Sequence, residues 1–294
     1  MQPKHIAWAV LVAAIWGVNF VVIRLGLDDF PPILLNALRF AVAGGLFAWF
    51  IPRPKIPVSR IVAVGLMLGV AKFTLLFLGM DAGMPAGLSS LVLQSQAFFT
   101  VLFAAVLLGE RPAAKQLVGM GIAFAGLSVI ALDLNSESMV MTAFMIILAA
   151  AACWGVANIL IKRSGADDML GLMVWASLAA APPLFALSWF FEGSERITTA
   201  LTHISFQGYG AVAYLAFAAT LVGFGLWGKL LKLYPAGLVA PFSLLVPVFG
   251  LSSTAIVLGE SLTPLKITGA VLVIIGLAVN AGLLRRRRRA EQSL

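Results

Sequence analysis

The chain has 294 residues, of which 61% are hydrophobic and only 11% charged, and its mean hydropathy is +1.03. Soluble domains carry about a quarter of their residues as charged side chains. The composition therefore excludes a soluble enzyme or binding module and indicates a protein embedded in a membrane. The net charge of +8 must then be interpreted by asking where the basic residues lie relative to the membrane.

Ten apolar runs follow one another along the chain, each long enough to cross a hydrocarbon core of about 30 Å as a helix. We predict membrane-spanning helices over 5–25, 33–51, 60–81, 86–108, 115–132, 142–162, 169–191, 207–231, 237–258 and 264–284. The runs lack the strict alternation of apolar and polar residues that a membrane β-barrel requires. The first run resembles a signal peptide, but its length predicts that it is retained.

The chain contains the same segment twice, at a fixed offset of 150 positions. Residues 84–88 return as 234–238 with a shared Pro-Ala-Gly-Leu, and Leu-Gly-Glu at 108–110 returns at 258–260. A weaker match at an offset of 138 relates Trp-Gly-Val at 16–18 to 154–156. We therefore predict two related halves and a tail. Their bounds are 1–133, 142–284 and, for the polybasic tail, 285–294.

The distribution of Lys and Arg predicts the orientation. With a cytoplasmic N-terminus, 15 of the 20 basic residues fall on the cytoplasmic side and 3 on the outer side. This bias places both termini in the cytoplasm. Arg285 to Arg289 are then expected to touch anionic lipid, and no nucleic-acid partner is predicted. Each half has five spans, an odd number, so the second half is inverted, as in carriers that work by alternating access.

Lys72 is the most unusual residue, because it lies near the middle of the third predicted span. A lysine at such a position costs about 2.5–3.5 kcal/mol on insertion scales, so it needs a polar cavity or a partner. One interpretation is an anchor for a substrate carboxylate, and the other is a neutral lysine that packs structurally. Gln94 and Gln96 on the next span are possible acceptors, although their spacing predicts that they point in different directions.

Arg39 lies about six residues into the second span. It could reach the outer interface and pair with Asp28, Asp29 or Asp81, which would make Arg39 and Asp81 gating or structural charges. The alternative is direct contact with the substrate.

Two Trp-Asn pairs lie in the middle of spans, at Trp16 with Asn19 and Trp154 with Asn158. They are predicted either to line a cavity, where an indole and an amide could bind an ammonium group, or to pack between helices.

Prolines mark predicted irregularities in two later spans. Pro241 and Pro247 flank Ser243 and are expected to free carbonyls that either line the cavity or accompany a simple kink. Pro182 in the seventh span is predicted to be a kink alone. Glu110 and Glu260 each precede a proline and are expected to complement the dipole of the helix that follows.

Several chemistries are excluded by what the chain contains. The two histidines, His5 and His203, lie at predicted membrane edges, so no metal site is expected within the membrane. No phosphate loop is present to bind ATP, no pair of mid-span carboxylates occurs, and Cys153 is the sole cysteine. We therefore predict no catalytic residue, metal or cofactor.

The Trp-Gly-Val-Asn at 16–19, the Leu-Arg-Phe at 38–40 and the repeated Pro-Ala-Gly and Leu-Gly-Glu motifs resemble the drug/metabolite transporter superfamily, in its ten-span EamA branch. Residues 83–100 and 240–248 are similar to bacterial exporters of O-acetylserine and cysteine. The resemblance implies a secondary transporter of the bacterial inner membrane that exports a small zwitterionic substrate. Lys72 departs from the neutral Gln expected in those exporters.

Two alternatives accompany this prediction. One is a broader metabolite or multidrug exporter, and the other is a membrane scaffold that does not transport. Polar mid-span residues in both halves disfavour the scaffold. Whether the protein is a monomer or a homodimer, and whether export uses a proton through Lys72 or Asp81 or simply follows the gradient, stay open.

Overall fold

The computed structural model describes residues 1–109, 111–133 and 138–280, and these residues form helices and short connections without a β-strand. We number the helices α1 (Pro3–Gly26), α2 (Pro32–Leu46), α3 (Val58–Asp81), α4 (86–108), α5 (Ala114–Asp133), α6 (Ser138–Ser164), α7 (Met169–Glu192), α8 (Ser194–Thr202), α9 (Phe206–Leu233), α10 (236–258) and α11 (Pro264–Asn280). The predicted tail at 285–294 lies outside the described residues.

Within the described residues, eight helices are long and apolar enough to cross a membrane, namely α1, α3, α4, α5, α6, α7, α9 and α10. The helices α2 and α11 are apolar but shorter. The chain is therefore an all-helical, multi-pass membrane protein, as its composition predicts. Each of the ten predicted spans coincides with one of these helices. That α2 and α11 also cross the membrane stays a prediction.

Glycines bring α5 and α11 into backbone contact. A side-chain carbon at Gly119 would lie 2.6 Å from the carbonyl oxygen of Gly276, and one at Gly126 would lie 2.8 Å from that of Gly269. Gly269 and Gly276 follow Gly119 and Gly126 by 150 residues, so each glycine packs against the repeat partner of the other. A two-fold axis relating two copies of one segment produces such exchanged pairs.

The same exchange occurs between the first helix of each half and the other half. Gly17 of α1 packs against Phe249 of α10, and a side-chain carbon at Gly155 of α6 would lie 2.8 Å from Phe99 Cβ of α4. Gly17 matches Gly155 at the offset of 138, and Phe99 matches Phe249 at the offset of 150. The repeated residues therefore make equivalent contacts in the two halves.

Four helices lose regular α-geometry near their middles. The π-helical segments Gly65–Lys72 and Tyr214–Val222 interrupt α3 and α9, and the 3₁₀ segments Leu93–Ser95 and Ala240–Leu244 interrupt α4 and α10. Segments of these types are unusual within long helices and often mark functional positions. Three of the four contribute residues to the cavity described below, and Thr220 of the fourth, Tyr214–Val222, accepts a hydrogen bond from Arg39, which lines that cavity.

At each end of the bundle, a side chain joins two helices, and we name the ends after Tyr234 and Glu192. At the Tyr234 end, the Tyr234 hydroxyl after α9 is hydrogen-bonded to His5 Nδ1 at the start of α1, over 2.7 Å. At the Glu192 end, the carboxylate that ends α7 accepts hydrogen bonds from the backbone of Ile33 and Leu34, over 2.6 and 2.9 Å.

Candidate functional site

A cavity of about 360 Å³ lies between the two halves, among α1, α2, α3, α4, α6, α7, α9 and α10. We call it the central cavity. Every residue predicted to bind substrate borders it, together with one of the two predicted gating charges. These residues are Trp16, Asn19, Arg39, Lys72, Gln94, Gln96, Trp154, Asn158 and Ser243.

The central cavity opens toward the Tyr234 end. Its lining residues near that end, such as Ile161, Met169 and Leu231, are partly exposed. Lining residues toward the Glu192 end, such as Leu76 and Ser90, are buried. The cavity lining is therefore more exposed toward the Tyr234 end than toward the Glu192 end in this conformation.

Lys72 is the last residue of the π-helical segment in α3, and only 2% of it is exposed. Its ammonium lies 3.2 Å from the ring centroid of Phe73 and 4.2 Å from that of Trp154, within the range of cation–π attraction. No described residue accepts a hydrogen bond from it. The expectation that Gln94 or Gln96 accepts one is therefore wrong for this conformation, and the Gln96 side-chain oxygen instead accepts from Asn158 over 2.7 Å.

Arg39 is equally buried, with 2% exposed. Its Nε donates to the Thr220 hydroxyl over 3.0 Å, and its guanidinium carbon lies 4.0 Å from the Phe73 centroid. Its Nη1 is buried without a hydrogen-bond partner. Thr220 belongs to the π-helical segment of α9, so Arg39 is held across the interface between the halves.

The expected pairing of Arg39 with outer acidic residues does not occur. Asp28 is instead paired with Arg24 over 2.7 Å, and Asp29 accepts a hydrogen bond from Ser205. The reason is that Arg39 faces inward from α2 and is held by Phe73 and Thr220, so it does not reach the interface.

Asp81 does not share a site with Arg39. It is exposed at the Glu192 end, where it borders a separate cleft of about 450 Å³ that also includes Glu195, Arg196 and His203. A common gating role for Arg39 and Asp81 therefore has no support from their positions.

The electrostatics of the central cavity are unbalanced. Arg39 and Lys72 both lie against the Phe73 ring, which places the two charges at most about 7 Å apart. Among the described residues, no Asp or Glu borders the cavity. Two basic groups that are buried without an acidic partner are unfavourable in their charged forms in a medium of low dielectric constant. The arrangement therefore favours an anionic group as the missing partner.

Both glutamines of α4 border the cavity, although their spacing predicts different directions. The cause is the 3₁₀ segment Leu93–Ser95, which has about three residues per turn and so brings positions two apart closer around the helix. The Asn158 amide donates to Gln96 and also to the Thr100 hydroxyl, over 3.0 Å. Asn19 differs from Asn158, because its side-chain oxygen is buried with no hydrogen-bond partner.

The two tryptophans have different surroundings. The Trp16 indole N–H donates to the Ala219 carbonyl over 3.0 Å, and its ring packs against Phe224 and Trp227. Trp154 instead lies against the Lys72 ammonium. The cavity is therefore chemically asymmetric although the scaffold is repeated.

Ser243 borders the cavity but is already engaged, since its hydroxyl donates to the Ala240 carbonyl over 2.7 Å. Pro241 lies in the first turn of the 3₁₀ segment, and Pro247 is the third residue of the regular helix that follows. Pro182 lies within α7, which continues through it. Its predicted kink stays a prediction.

Glu260 has a structural role that differs in detail from the expected one. Its carboxylate accepts from the backbone of Ala86 and Gly87 over 2.6 and 3.0 Å, at the start of α4. It therefore caps a helix of the other half, and not its own α11. Glu110 lies outside the described residues. Glu192 plays the same part for α2, and sequence analysis did not identify it.

Sequence analysis also missed Phe73, Thr220 and Trp227. Phe73 and Trp227 are aromatic residues in apolar spans, where nothing in the local sequence separates a lining residue from a packing one. Thr220 had a weak signal, because it is a hydroxyl in the middle of a span.

Apolar helices around a central cavity that contains buried polar side chains are typical of a membrane protein that handles a small molecule. The EamA-like transporter family matches residues 3–132 and again residues 141–282. The chain belongs to this family.

Relatives and one solved structure match the chain over nearly its whole length. A protein of Salmonella typhimurium named "probable amino-acid metabolite efflux pump" is 43% identical, over 100% of both chains. An Escherichia coli protein with the same name is 43% identical, over 99% of both chains. A crystal structure with 20% identity superposes with a TM-score of 0.67, covering 98% of this chain and 99% of that one, and it supports the fold alone.

Proposed function

We propose that the protein is a secondary transporter of the bacterial inner membrane that exports small amino-acid-type metabolites, such as O-acetylserine or cysteine. The observation that carries the proposal is the set of unpaired groups in the central cavity. Lys72 and Arg39 Nη1 are donors without acceptors, and Asn19 Oδ1 is an acceptor without a donor. A carboxylate and an ammonium group on one small molecule would satisfy both.

The proposed binding mode follows from these groups. The substrate carboxylate binds between Lys72 and Arg39, and Gln94 or Gln96 adds a hydrogen bond. The ammonium group binds Asn19 Oδ1 and the faces of Trp16 or Trp154. Ser243 contributes a polar wall. The names of the relatives support an amino-acid metabolite as the cargo.

The proposed mechanism is alternating access between inverted repeats. The exchanged glycine contacts support two equivalent halves related by a two-fold axis. With both termini in the cytoplasm, the Tyr234 end faces the cytoplasm. The conformation described here would then receive substrate from inside the cell, and rocking of the halves would release it outside.

A second candidate is a broader metabolite or multidrug exporter. The aromatic side chains of the central cavity favour it, because rings at Trp16, Phe73, Trp154, Phe224 and Trp227 can pack against apolar cargo.

The test uses proteoliposomes loaded with labelled O-acetylserine. We expect saturable efflux that cysteine inhibits and that Lys72→Gln alters. The matched control is Lys229→Gln, which changes an exposed lysine of α9. Efflux that equals that of empty liposomes, from correctly folded protein, would refute the assignment. A panel of apolar drugs in the same vesicles separates the second candidate.

A further inference from the structure

With Arg39 and Lys72 both protonated, the central cavity holds more positive charge than a zwitterion neutralises. An amino acid with an uncharged side chain brings one carboxylate and one ammonium, so its net charge is zero. Arg39 and Lys72 are both 2% exposed, and no acidic residue among the described ones borders the cavity with them. Buried charges in proteins are normally paired, because desolvation without a partner is costly.

From this imbalance, we propose that the preferred substrates are amino-acid metabolites with a second acidic group and a net charge of −1. The inference rests on the proposed function and names the substrate class within it. One acid group would bind the Lys72 ammonium. The other would bind Arg39 Nη1, which lacks a partner while Nε stays on Thr220.

The geometry fits two acids on a short carbon chain. Both cations lie on the Phe73 ring, at 3.2 and 4.0 Å from its centroid, so their separation is set by one aromatic side chain. The cavity volume of about 360 Å³ is large enough to hold a molecule of amino-acid size. The unpartnered Asn19 Oδ1 remains available for the ammonium group.

Arg39 is suited to an acid group by its shape as well as its charge. A guanidinium presents donors in a planar fork that matches a carboxylate, and its remaining donors are not consumed by Thr220. Lys72 presents a point charge that adapts to the second group. This pair therefore favours an acidic side chain over its amide isostere.

The second negative charge has two possible sources. It is either part of the substrate, as proposed, or an inorganic anion such as chloride that accompanies a zwitterion. The two sources differ in what they predict for a matched acid and amide, and for removal of chloride.

The experiment measures binding to the full-length protein in lipid nanodiscs through tryptophan fluorescence, since Trp16, Trp154 and Trp227 border the cavity. The probes are L-aspartate against L-asparagine and L-glutamate against L-glutamine, in chloride and in gluconate. We expect the acid of each pair to bind about tenfold more tightly than its amide, in both salts.

Lys72→Gln is the decisive variant, because Lys72 makes no hydrogen bond whose loss would disturb folding. We expect it to remove the preference for the acid while the amide still binds, whereas Lys229→Gln keeps the preference. Equal affinity for acid and amide in the unmodified protein would overturn the proposal, as would a preference that survives Lys72→Gln. Amide binding that requires chloride would assign the second charge to the inorganic ion.

A separate efflux measurement tests the proposed function. Absence of amino-acid efflux from proteoliposomes refutes transport of this class whatever the binding preference. Efflux of O-acetylserine without competition by the acidic amino acids leaves the proposed function standing and overturns only the inference drawn here.

Discussion

Charged groups at the Glu192 end and in the central cavity differ in their hydrogen-bond partners. At the Glu192 end, each of two carboxylates accepts hydrogen bonds from two backbone amides of the other half, at Glu192 and at Glu260. In the central cavity, Arg39 Nη1 is buried without a hydrogen-bond partner, and Lys72 has cation–π contacts but no hydrogen bond to a described residue. Matched polar groups stabilise a fold, whereas unmatched ones cost stability and are kept where a ligand completes them. The difference distinguishes residues that join the two halves from residues that we propose to bind substrate.

The largest effect on stability is expected from Glu192→Ala at the Glu192 end. Glu192 is 7% exposed and accepts from Ile33, Leu34 and the Ser188 hydroxyl, so its removal leaves three donors without a partner. We expect the stability of the folded protein to fall by about 2–4 kcal/mol, measured by thermal unfolding in detergent. The control is Glu195→Ala, which removes an exposed carboxylate at the same end. Equal melting temperatures for the two variants would contradict the structural role.

Lys72→Met in the central cavity is expected to raise the stability of the folded protein, whereas Glu192→Ala is expected to lower it. Removing a buried cation that lacks a hydrogen bond should raise stability by about 1–3 kcal/mol, because its cost in the membrane disappears. Amino-acid efflux should be lost in the same variant. Thermal unfolding and efflux are measured on one preparation, with Lys229→Met as the control. A destabilised Lys72→Met would show that Lys72 serves packing.

Glu260→Gln tests the second of the two helix-capping carboxylates at the Glu192 end. Glu260 is partly exposed, and the amide keeps one acceptor oxygen, so we expect a smaller loss of about 1 kcal/mol. The matched variant is Asp168→Asn. Asp168 caps the start of α7, the helix that directly follows it, so it does not link the two halves. If closure between the halves depends on Glu260, a cysteine placed at Ser90 should react faster with a thiol reagent in Glu260→Gln only.

The smallest effect is expected for Ser243→Ala. Its hydroxyl donates within its own turn to Ala240, so its loss frees a carbonyl but removes no contact between the halves. We expect efflux to change by less than about twofold. A larger decrease in the efflux rate would indicate that Ser243 contacts the substrate directly.

The fold was largely predictable from sequence, because apolar runs and Pro-Gly interruptions directly define helices in a membrane. The predicted run 5–25 appears as Pro3–Gly26, and 169–191 appears as Met169–Glu192. The run 33–51 was predicted too long. The reason is that hydropathy does not register the π-helical turn Val42–Leu46 that ends α2.

Which residues share the cavity was predictable from sequence, but their pairing was not, and their role in substrate binding stays a prediction. Polar residues in the middle of spans were correctly expected to be exceptional, and the structure brings Lys72, Gln94 and Asn158 to one cavity. The partners were not predictable, because cation–π contacts on Phe73 and the hydrogen bond from Arg39 to Thr220 depend on how helices rotate. Local sequence carries no information on that rotation.

The π-helical segments also record the history of the chain. Gly65–Lys72 and Tyr214–Val222 end 150 residues apart, the same offset that relates the repeated motifs. A π-turn accommodates one residue more than an α-turn, so each segment amounts to an insertion in its helix. A single insertion in an ancestral half, copied when that half was duplicated, accounts for both. The irregular backbone of α3 and α9 would then be older than the two-halved protein, whereas Lys72 and Thr220, whose counterparts are Val222 and Val70, distinguish one half from the other.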